Sequence, residues 1–287
     1  MRTIKHIIPS QKVPMGGTLI DQPLPIKGLD MVDPFLLIHH HRMEYPGGEK
    51  QKDLGVPPHP HRGFSPVTFV FEGDINHRDS MGNDKKVRAG GIQWLFAGSG
   101  MIHSERPSDE LSEKGGVMEI IQIWVNAPQK KKMEKPFYYP LQKEEIPSVF
   151  TSEKKSEIGI ICGEVNKIKG PMPTMSELVL LRGELKSGDS FSFALPKSNN
   201  IVIYLLDGKM QINGENTVTK NLVVLGNDDE NVNLNATENT RFILLAGEPI
   251  NEHVSTYGPF VMTSQREIYT AIEDFQNGKM GQLQEEF

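Results

Sequence analysis

Short apolar segments, bounded by glycine, proline, asparagine or aspartate, recur along most of the 287-residue chain. Their length and β-branched content favour strands over helices. Representative segments are Val67–Phe71, Ile92–Phe96, Met118–Val125, Leu178–Leu181, Ile201–Leu206, Leu222–Leu225 and Phe242–Ala246. Helical periodicity appears mainly near the C-terminus, where Ser264 is placed to cap a helix that ends near Asn277. The chain is therefore predicted to be all-β, with one short C-terminal helix.

Two segments carry chemistry-bearing side chains at a spacing of two residues. They are His59-Pro60-His61 and His103-Ser104-Glu105. On a β-strand, residues i and i+2 point to the same face, so each segment can direct two side chains into one cavity. Imidazole nitrogens with one carboxylate suit a first-row transition metal and suit calcium or magnesium poorly. The sequence predicts one metal site with His59, His61, His103 and Glu105 as ligands.

The two halves of the chain form a weak internal repeat. Residues 67–73 (VTFVFEG) resemble residues 202–208 (VIYLLDG), and each segment ends at a turn. Aligning the halves places Ala194, Pro196, Asn231 and Asn233 opposite His59, His61, His103 and Glu105. Two similar sets of short strands predict two tandem jelly-roll barrels. The expected domains are a metal-binding barrel over residues 1–133 and a metal-free barrel with the C-terminal helix over residues 134–287, with 134–149 as a linker.

Composition limits the classes of function. The formal net charge is −6 and the basic residues are dispersed, which argues against direct nucleic-acid binding. The run Lys130–Lys132 is interpreted as a solvated stretch. Cys162 is the single cysteine, which excludes an internal disulfide and fits a reducing compartment. Neither a signal peptide nor a membrane-spanning segment is recognisable. We expect a cytoplasmic monomer, or a nuclear location if the source is eukaryotic.

Motifs along nearly the whole chain resemble the pirin family, which belongs to the bicupins of the cupin superfamily. The motifs are residues 29–37 (LDMVDPFLL), 59–64 (HPHRGF), 79–83 (DSMGN), 93–98 (QWLFAG), 122–126 (QIWVN), 246–250 (AGEPI) and 257–262 (YGPFVM). The resemblance implies two cupin barrels and one metal, usually iron, on His59, His61, His103 and Glu105. It also implies that the C-terminal barrel binds no metal. Nickel, manganese, copper, cobalt and zinc remain possible for the same ligands.

The resemblance implies one of two functions. The first is a quercetin 2,3-dioxygenase-type oxygenase, with a flavonol-like substrate and O₂. There the metal would acidify the 3-hydroxyl group, and Glu105 is predicted to accept its proton. The alternative is an iron-dependent redox sensor that acts through a protein partner in transcriptional regulation. A metal-free structural module is disfavoured, because an unpaired set of buried polar side chains costs stability.

A few side chains near the predicted site have expected locations of their own. Ser65-Pro66 and His39-His40-His41 depart from many pirins and are expected to flank the cavity mouth, where they bear on substrate preference. Of the three histidines, His39 and His41 can share a face of a strand. Arg62 is expected to pair with a carboxylate near the site. His77 is expected to be exposed.

Overall fold

The computed structural model describes residues 1–151 and 156–287, and within these ranges strands dominate. The strands are β1 (Ile4–Pro9), β2 (Gln11–Met15), β3 (Thr18–Leu24), β4 (Phe35–Tyr45), β5 (Val56–His61), β6 (Phe64–Glu72), β7 (Asp74–Asp79), β8 (Asp84–Arg88), β9 (Ile92–Phe96), β10 (Met101–Arg106), β11 (Gly116–Asn126), β12 (Phe137–Leu141), β13 (Ser148–Phe150), β14 (Glu157–Cys162), β15 (Glu164–Val165), β16 (Ile168–Lys169), β17 (Leu178–Leu185), β18 (Ser190–Ala194), β19 (Asn200–Asp207), β20 (Lys209–Ile212), β21 (Glu215–Val218), β22 (Asn221–Leu225), β23 (Asn231–Ala236), β24 (Thr240–Gly247), β25 (Ser255–Tyr257) and β26 (Phe260–Met262). The predicted all-β class is confirmed.

Helices are few and short. They are α1 (Asp109–Lys114), α2 (Gln265–Gln276) and the 3-10 turns Gln51–Asp53, Gln129–Lys131 and Lys143–Glu145. The hydroxyl group of Ser264 accepts a hydrogen bond from the backbone N–H of Glu267, as the predicted cap of α2 requires. In the ranges that the structure describes, none of the helices has the length and apolar character needed to span a membrane.

The chain divides into two compact units, and neither is continuous in sequence. The unit that contains the histidines, called here the histidine barrel, comprises Val13–Ile20, Leu37–Lys143 and Asn251–Phe287. The other, called the second barrel, comprises Met1–Lys12, Asp21–Leu36 and Glu144–Ile250. These units differ from the predicted domains 1–133 and 134–287 at both chain ends. The physical reason at the N-terminus is that β1 hydrogen-bonds to β22.

Each barrel is built from a seven-stranded and a four-stranded sheet. In the histidine barrel the strand orders are β12-β9-β6-β11-β4-β3-β2 and β5-β10-β7-β8. In the second barrel they are β1-β22-β19-β24-β17-β14-β13 and β18-β23-β20-β21. The order β9-β6-β11-β4 matches β22-β19-β24-β17, and the two four-stranded sheets match strand for strand. The predicted repeat of two double-sheet jelly rolls is therefore confirmed.

The two four-stranded sheets also share a register. His103 of β10 lies opposite His59 of β5, and Asn231 of β23 lies opposite Ala194 of β18. This is the correspondence that the sequence alignment predicted. The sheets of the second barrel enclose a continuous apolar core that includes Phe191, Phe193 and Phe242. Side chains fill that interior, whereas the equivalent strands of the histidine barrel carry polar ligand groups.

Glycine is required at the equivalent turn of each barrel. Gly73 and Gly208 have φ values of +69° and +81°. Residues that carry a Cβ atom rarely adopt such values. A Cβ would lie 2.5 Å from the carbonyl oxygen of Val117 at Gly73, and 2.2 Å from that of Asn239 at Gly208. Each turn carries the chain from a seven-stranded sheet to a four-stranded one. The glycines of these two turns are thus structural requirements of the repeat.

Two sequence interpretations need correction. Residues 134–149 are not a plain linker, because they contain β12, which pairs antiparallel with β9.

Lys132 is not solvated, since its side chain is buried with 1% exposure. Its ammonium group donates to the carbonyl oxygens of Gly63 and Val261, at 2.8 and 3.1 Å, and to the side chain of Asn126. The three donors of the ammonium group allow this one side chain to serve acceptors from three separate segments.

Lys132 is predicted to stabilise the histidine barrel through these bonds. Lys132→Met keeps most of the apolar stem but leaves buried acceptors unpaired. The free energy of unfolding should fall by at least about 1–3 kcal/mol. Lys130→Met, at an exposed position of the same run, should change it by no more than about 0.5 kcal/mol. Urea denaturation of both variants measures the difference, and equal small effects would contradict the structural role of Lys132.

Candidate metal centre

Two adjacent antiparallel strands bring the three predicted histidines together. β5 ends at His61, β10 begins at Met101, and His103 lies directly opposite His59. One ring nitrogen from each of His59, His61 and His103 lies within 4.8 Å of the others. This is the one cluster of three or more potential His, Cys, Asp or Glu ligands in residues 1–151 and 156–287. The same-face rule for residues i and i+2 placed these histidines correctly.

Hydrogen bonds to the far side of two rings orient their lone pairs. The Nδ1 atom of His59 lies 2.8 Å from the carbonyl oxygen of Pro57, and that of His61 lies 3.2 Å from the carbonyl oxygen of Pro259. A carbonyl oxygen only accepts, so each Nδ1 carries the hydrogen and each Nε2 carries a lone pair. The two Nε2 atoms are 3.1 Å apart. Two lone pairs facing each other without a hydrogen repel, unless a cation lies between them.

His103 supplies a third nitrogen suited to a cation. Its Nε2 atom is buried and has no hydrogen-bond partner. Burial and three neighbouring histidines lower the pKa of His103 well below its usual value. Burial, together with His59, also lowers the pKa of His61, to about 3, despite an opposing effect of the Pro259 carbonyl. Neutral imidazoles with free Nε2 lone pairs are the form that binds transition metals, so the residues fit one metal ion.

Glu105 lies beside this cluster without belonging to it. The cluster of three ring nitrogens does not include Glu105, although β10 pairs regularly with β7 from His103 to Arg106. Its Oε1 atom accepts from the Gln93 amide at 2.5 Å and the Thr68 hydroxyl at 3.3 Å. Its Oε2 atom accepts from the Gln122 amide at 2.8 Å. The carboxylate is thus held in one orientation, and its place in the ligand set stays a prediction.

A cavity of about 220 Å³ opens against Glu105 and Gln122. It is lined mainly by apolar groups and contains the ring of His41. His41 therefore lines the same cavity as Glu105, and its place at a mouth of the metal site stays a prediction. His40 points elsewhere, since its ring lies 3.0 Å from the carboxylate of Glu119. The other departure from the family pattern, Ser65-Pro66, is buried in β6 and does not line this cavity.

Aromatic and charged side chains contact the segment that contains His61. The rings of Phe64 and Trp124 pack edge-on against His61, with centroids 5.2 and 5.7 Å away. Arg62 makes the predicted pairing with a carboxylate, at 2.9 Å from Asp274 on α2. The C-terminal helix is thereby anchored next to the His59–His61 segment. These contacts restrict the rotation of His61.

The sequence interpretation of His77 was wrong. It was expected to be exposed, but its side chain is fully buried. On adjacent strands, Glu105 lies opposite His77, and His103 lies opposite Asp79. The His-x-Asp spacing of β7 repeats the two-residue spacing of the predicted ligands, and this signal could have indicated that His77 and Asp79 lie near the site.

Other polar residues around Glu105 were also not predicted. Gln93 and Gln122 interrupt otherwise apolar strands, which is a readable signal for a polar function inside a barrel. Tyr138 donates to the carbonyl oxygen of the Gln93 side chain at 2.9 Å. Its segment was interpreted as a linker, so no sequence feature placed it at the site.

Comparisons with known proteins agree along the whole chain. The family model named Pirin matches residues 18–125, and the model of the pirin C-terminal cupin domain matches residues 180–281. A Pseudomonas aeruginosa protein, provisionally named as a quercetin 2,3-dioxygenase, is 36% identical over 249 residues, 86% of this chain and 86% of its own length. Pirin-like protein 2 of Arabidopsis thaliana is 34% identical over 287 residues, 97% of this chain and 85% of its own.

A solved structure extends the comparison to three dimensions. Quercetin 2,3-dioxygenase from Acinetobacter baumannii superposes with a TM-score of 0.92 at 32% sequence identity. The superposition covers 99% of this chain and 100% of the other. The fold and the three-histidine cluster thus define a two-barrel cupin with a site for a single transition-metal ion. The chain belongs to the pirin family.

The histidines of β4 predict a pH dependence of stability. Burial, with the neighbouring His41, lowers the pKa of His39 to about 4, and burial, with His40, lowers that of His41 to about 4. Between these values and about 6.5, the ordinary pKa of histidine, the unfolded chain binds protons that the folded chain does not. The free energy of unfolding should therefore fall as the pH is lowered through this window.

The double variant His39→Gln/His41→Gln should flatten this dependence relative to the unsubstituted protein. Urea denaturation between about pH 7.5 and 4.5, in the presence of a chelator, measures the slope. His6→Gln changes an exposed histidine and serves as the control. An unchanged slope in the double variant would show that these two histidines are not buried in their neutral form.

Proposed function

We propose that this protein is a metal-dependent oxygenase of the quercetin 2,3-dioxygenase type, with iron as the metal. The observation that carries the proposal is the cluster of ring nitrogens from His59, His61 and His103. Glu105, two residues from His103 on β10, lines a cavity. The relatives named above as quercetin 2,3-dioxygenases support it. A transition metal bound there would supply acidification of an enolic hydroxyl group and the one-electron chemistry that O₂ requires.

The side chains of the cavity have complementary tasks in such a reaction. Glu105, oriented by Gln93 and Gln122, would hold the proton released by the hydroxyl group of the substrate. The apolar lining, which includes Met118 and Ile120, would keep water away from an electron-rich ring. Glu105 would also be the fourth ligand of the metal, and Gln93 and Gln122 would then fix the orientation of its carboxylate.

The size of the cavity bears on the substrate. Its volume of about 220 Å³ lies below the range of roughly 300–1,000 Å³ that is common for pockets of drug-sized ligands. A bicyclic flavonol with a pendant ring would require the mouth around His41 to widen. A single-ring 3-hydroxy-4-pyranone offers the same hydroxyl–ketone pair in a smaller volume. Both substrates therefore belong in the test.

The decisive experiment combines metal analysis with oxygen consumption. Protein purified anaerobically should contain a single transition-metal ion per chain, predominantly iron, and should consume O₂ with quercetin or with the single-ring pyranone. His61→Ala should lose both the metal and O₂ uptake. His253→Ala alters an exposed histidine of the same barrel and should retain both. Metal-loaded protein that consumes no O₂ with either substrate would overturn the oxygenase. In that case, redox-dependent binding of a protein partner would favour the alternative function as a regulator.

Glu105→Gln tests the proton-accepting role separately. The amide cannot accept the substrate proton, so turnover should fall about 10²- to 10⁴-fold, while metal content should change less. Glu119→Gln is the matched control, since this buried glutamate contacts His40 and does not line the cavity. Steady-state O₂ uptake and elemental analysis of both variants provide the measurement. Full activity in Glu105→Gln would exclude the role of Glu105 as the base.

A further inference from the structure

His77 and Asp79 continue the contacts of His103 away from the cluster of ring nitrogens. The Nδ1 atom of His77 lies 3.4 Å from Nδ1 of His103. This distance is slightly longer than the usual donor–acceptor distance of about 2.7–3.2 Å. The Nε2 atom of His77 lies 2.9 Å from the Oδ2 atom of Asp79. The side chains of His77 and Asp79 are completely buried. Water therefore does not compete for these contacts.

Asp79 is held by donors alone. Its Oδ1 atom accepts from the backbone N–H groups of Met81 and Asn83, at 2.9 and 3.1 Å. Its Oδ2 atom accepts from the side-chain amide of Asn83 at 2.8 Å. The tight loop of residues 79–83 thus fixes both carboxylate oxygens. A carboxylate in this setting accepts from His77, so the Nε2 atom of His77 must carry a hydrogen.

The positions of the remaining hydrogens follow from this one. A neutral imidazole with hydrogen on Nε2 has a lone pair on Nδ1, so Nδ1 of His77 can only accept. Nδ1 of His103 must then carry the hydrogen that it donates. This leaves the lone pair of His103 on Nε2, the buried atom that has no partner in the protein. The carboxylate of Asp79 therefore determines, through two rings, which nitrogen of His103 faces the metal.

Stacking holds the middle ring in place. The ring of Tyr138 lies parallel to that of His77, with centroids 3.8 Å apart and an interplanar angle of 2°. The hydroxyl group of Tyr138 is fixed in turn by Gln93, which also binds Glu105. A rotation of His77 would break the stacking and both of its hydrogen bonds.

We propose that His77 and Asp79 are positioning residues that fix the tautomer and the ring orientation of His103 for metal binding. This inference rests on the proposed metal site but not on the identity of the metal or the substrate. Carboxylate–histidine support of a ligand imidazole typically changes metal affinity by about 10–100-fold. Here the carboxylate of Asp79 acts through the imidazole of His77. The effect on metal affinity therefore depends on which atom is the donor in each of the two hydrogen bonds that link Asp79, His77 and His103.

Asp79→Asn should reverse the direction of hydrogen-bond donation between residue 79, His77 and His103. The amide nitrogen would face His77 as a donor, which moves the hydrogen of His77 to Nδ1 and forces that of His103 to Nε2. The dissociation constant for cobalt(II), measured by its visible absorption in competition with a chelator, should rise about 10–100-fold. His77→Phe should have a similar effect, since it keeps the stacking and removes the acceptor. His77→Gln should restore most of the affinity, because its amide can accept from His103 and donate to Asp79.

Nitrogen-15 NMR of the histidines provides a readout that needs no metal. In the chelator-treated protein, His103 should carry its hydrogen on Nδ1, and in Asp79→Asn on Nε2. Asp84→Asn, an exposed carboxylate of the same sheet that bonds to Arg78, should alter neither the NMR result nor cobalt affinity. Far-UV circular dichroism verifies that each variant is folded.

The outcomes separate this proposal from the proposed oxygenase. Hydrogen on Nε2 of His103 in the unsubstituted protein would overturn the positioning role, even if Asp79→Asn does not fold. Unchanged cobalt affinity in His77→Phe would also overturn it. A protein with the expected tautomer and cobalt affinities but no O₂ uptake would overturn the oxygenase alone.

Discussion

The antiparallel pairing of β5 with β10 is the constraint on which the site depends. It places His103 opposite His59 and sets His61 at the end of the same ladder. Backbone carbonyls then fix the far nitrogens of His59 and His61, so their Nε2 lone pairs face each other at 3.1 Å. Such an arrangement is unfavourable without a cation and favourable with one. The hydrogen bonds to Pro57 and Pro259 thus favour a cation between the two rings. Burial lowers the pKa of His61 and of His103, which keeps both rings neutral.

Several buried polar side chains around the cluster have specific partners. Gln93 and Gln122 hold Glu105 on the cavity side, and His77 with Asp79 holds His103 on the opposite side. Tyr138 links the two groups of residues, since its ring stacks on His77 and its hydroxyl group donates to Gln93. Because a buried polar network is costly unless its members are satisfied, these residues constrain one another. The carboxylate next to the cavity and the ligand imidazole are therefore positioned by one connected network.

The two barrels show how one strand arrangement supports different interiors. Both have the same sheet order, and His59 and His103 occupy the register positions of Ala194 and Asn231. In the second barrel, the space is filled by an apolar core of close-packed side chains. In the histidine barrel, the equivalent space holds polar groups and a cavity of about 220 Å³. The repeat therefore conserves the backbone pairing, while the choice of interior side chains decides whether a site exists.

The sequence by itself determined the strands, the repeat, the capped helix α2 and the three histidines. These follow from local periodicity, because the two-residue period of a strand decides which side chains share a face. It did not determine the burial of Lys132 and His77, or the strand β12 that brings Tyr138 to the site. Those features depend on acceptors and neighbours distant in the chain. The same holds for the orientation of the Glu105 carboxylate, which Gln93 and Gln122 fix from other strands. Spacing alone predicted the candidate ligands. Only the tertiary structure decided how the rings and the carboxylate are oriented, because partners distant in the chain fix His61, His103 and Glu105.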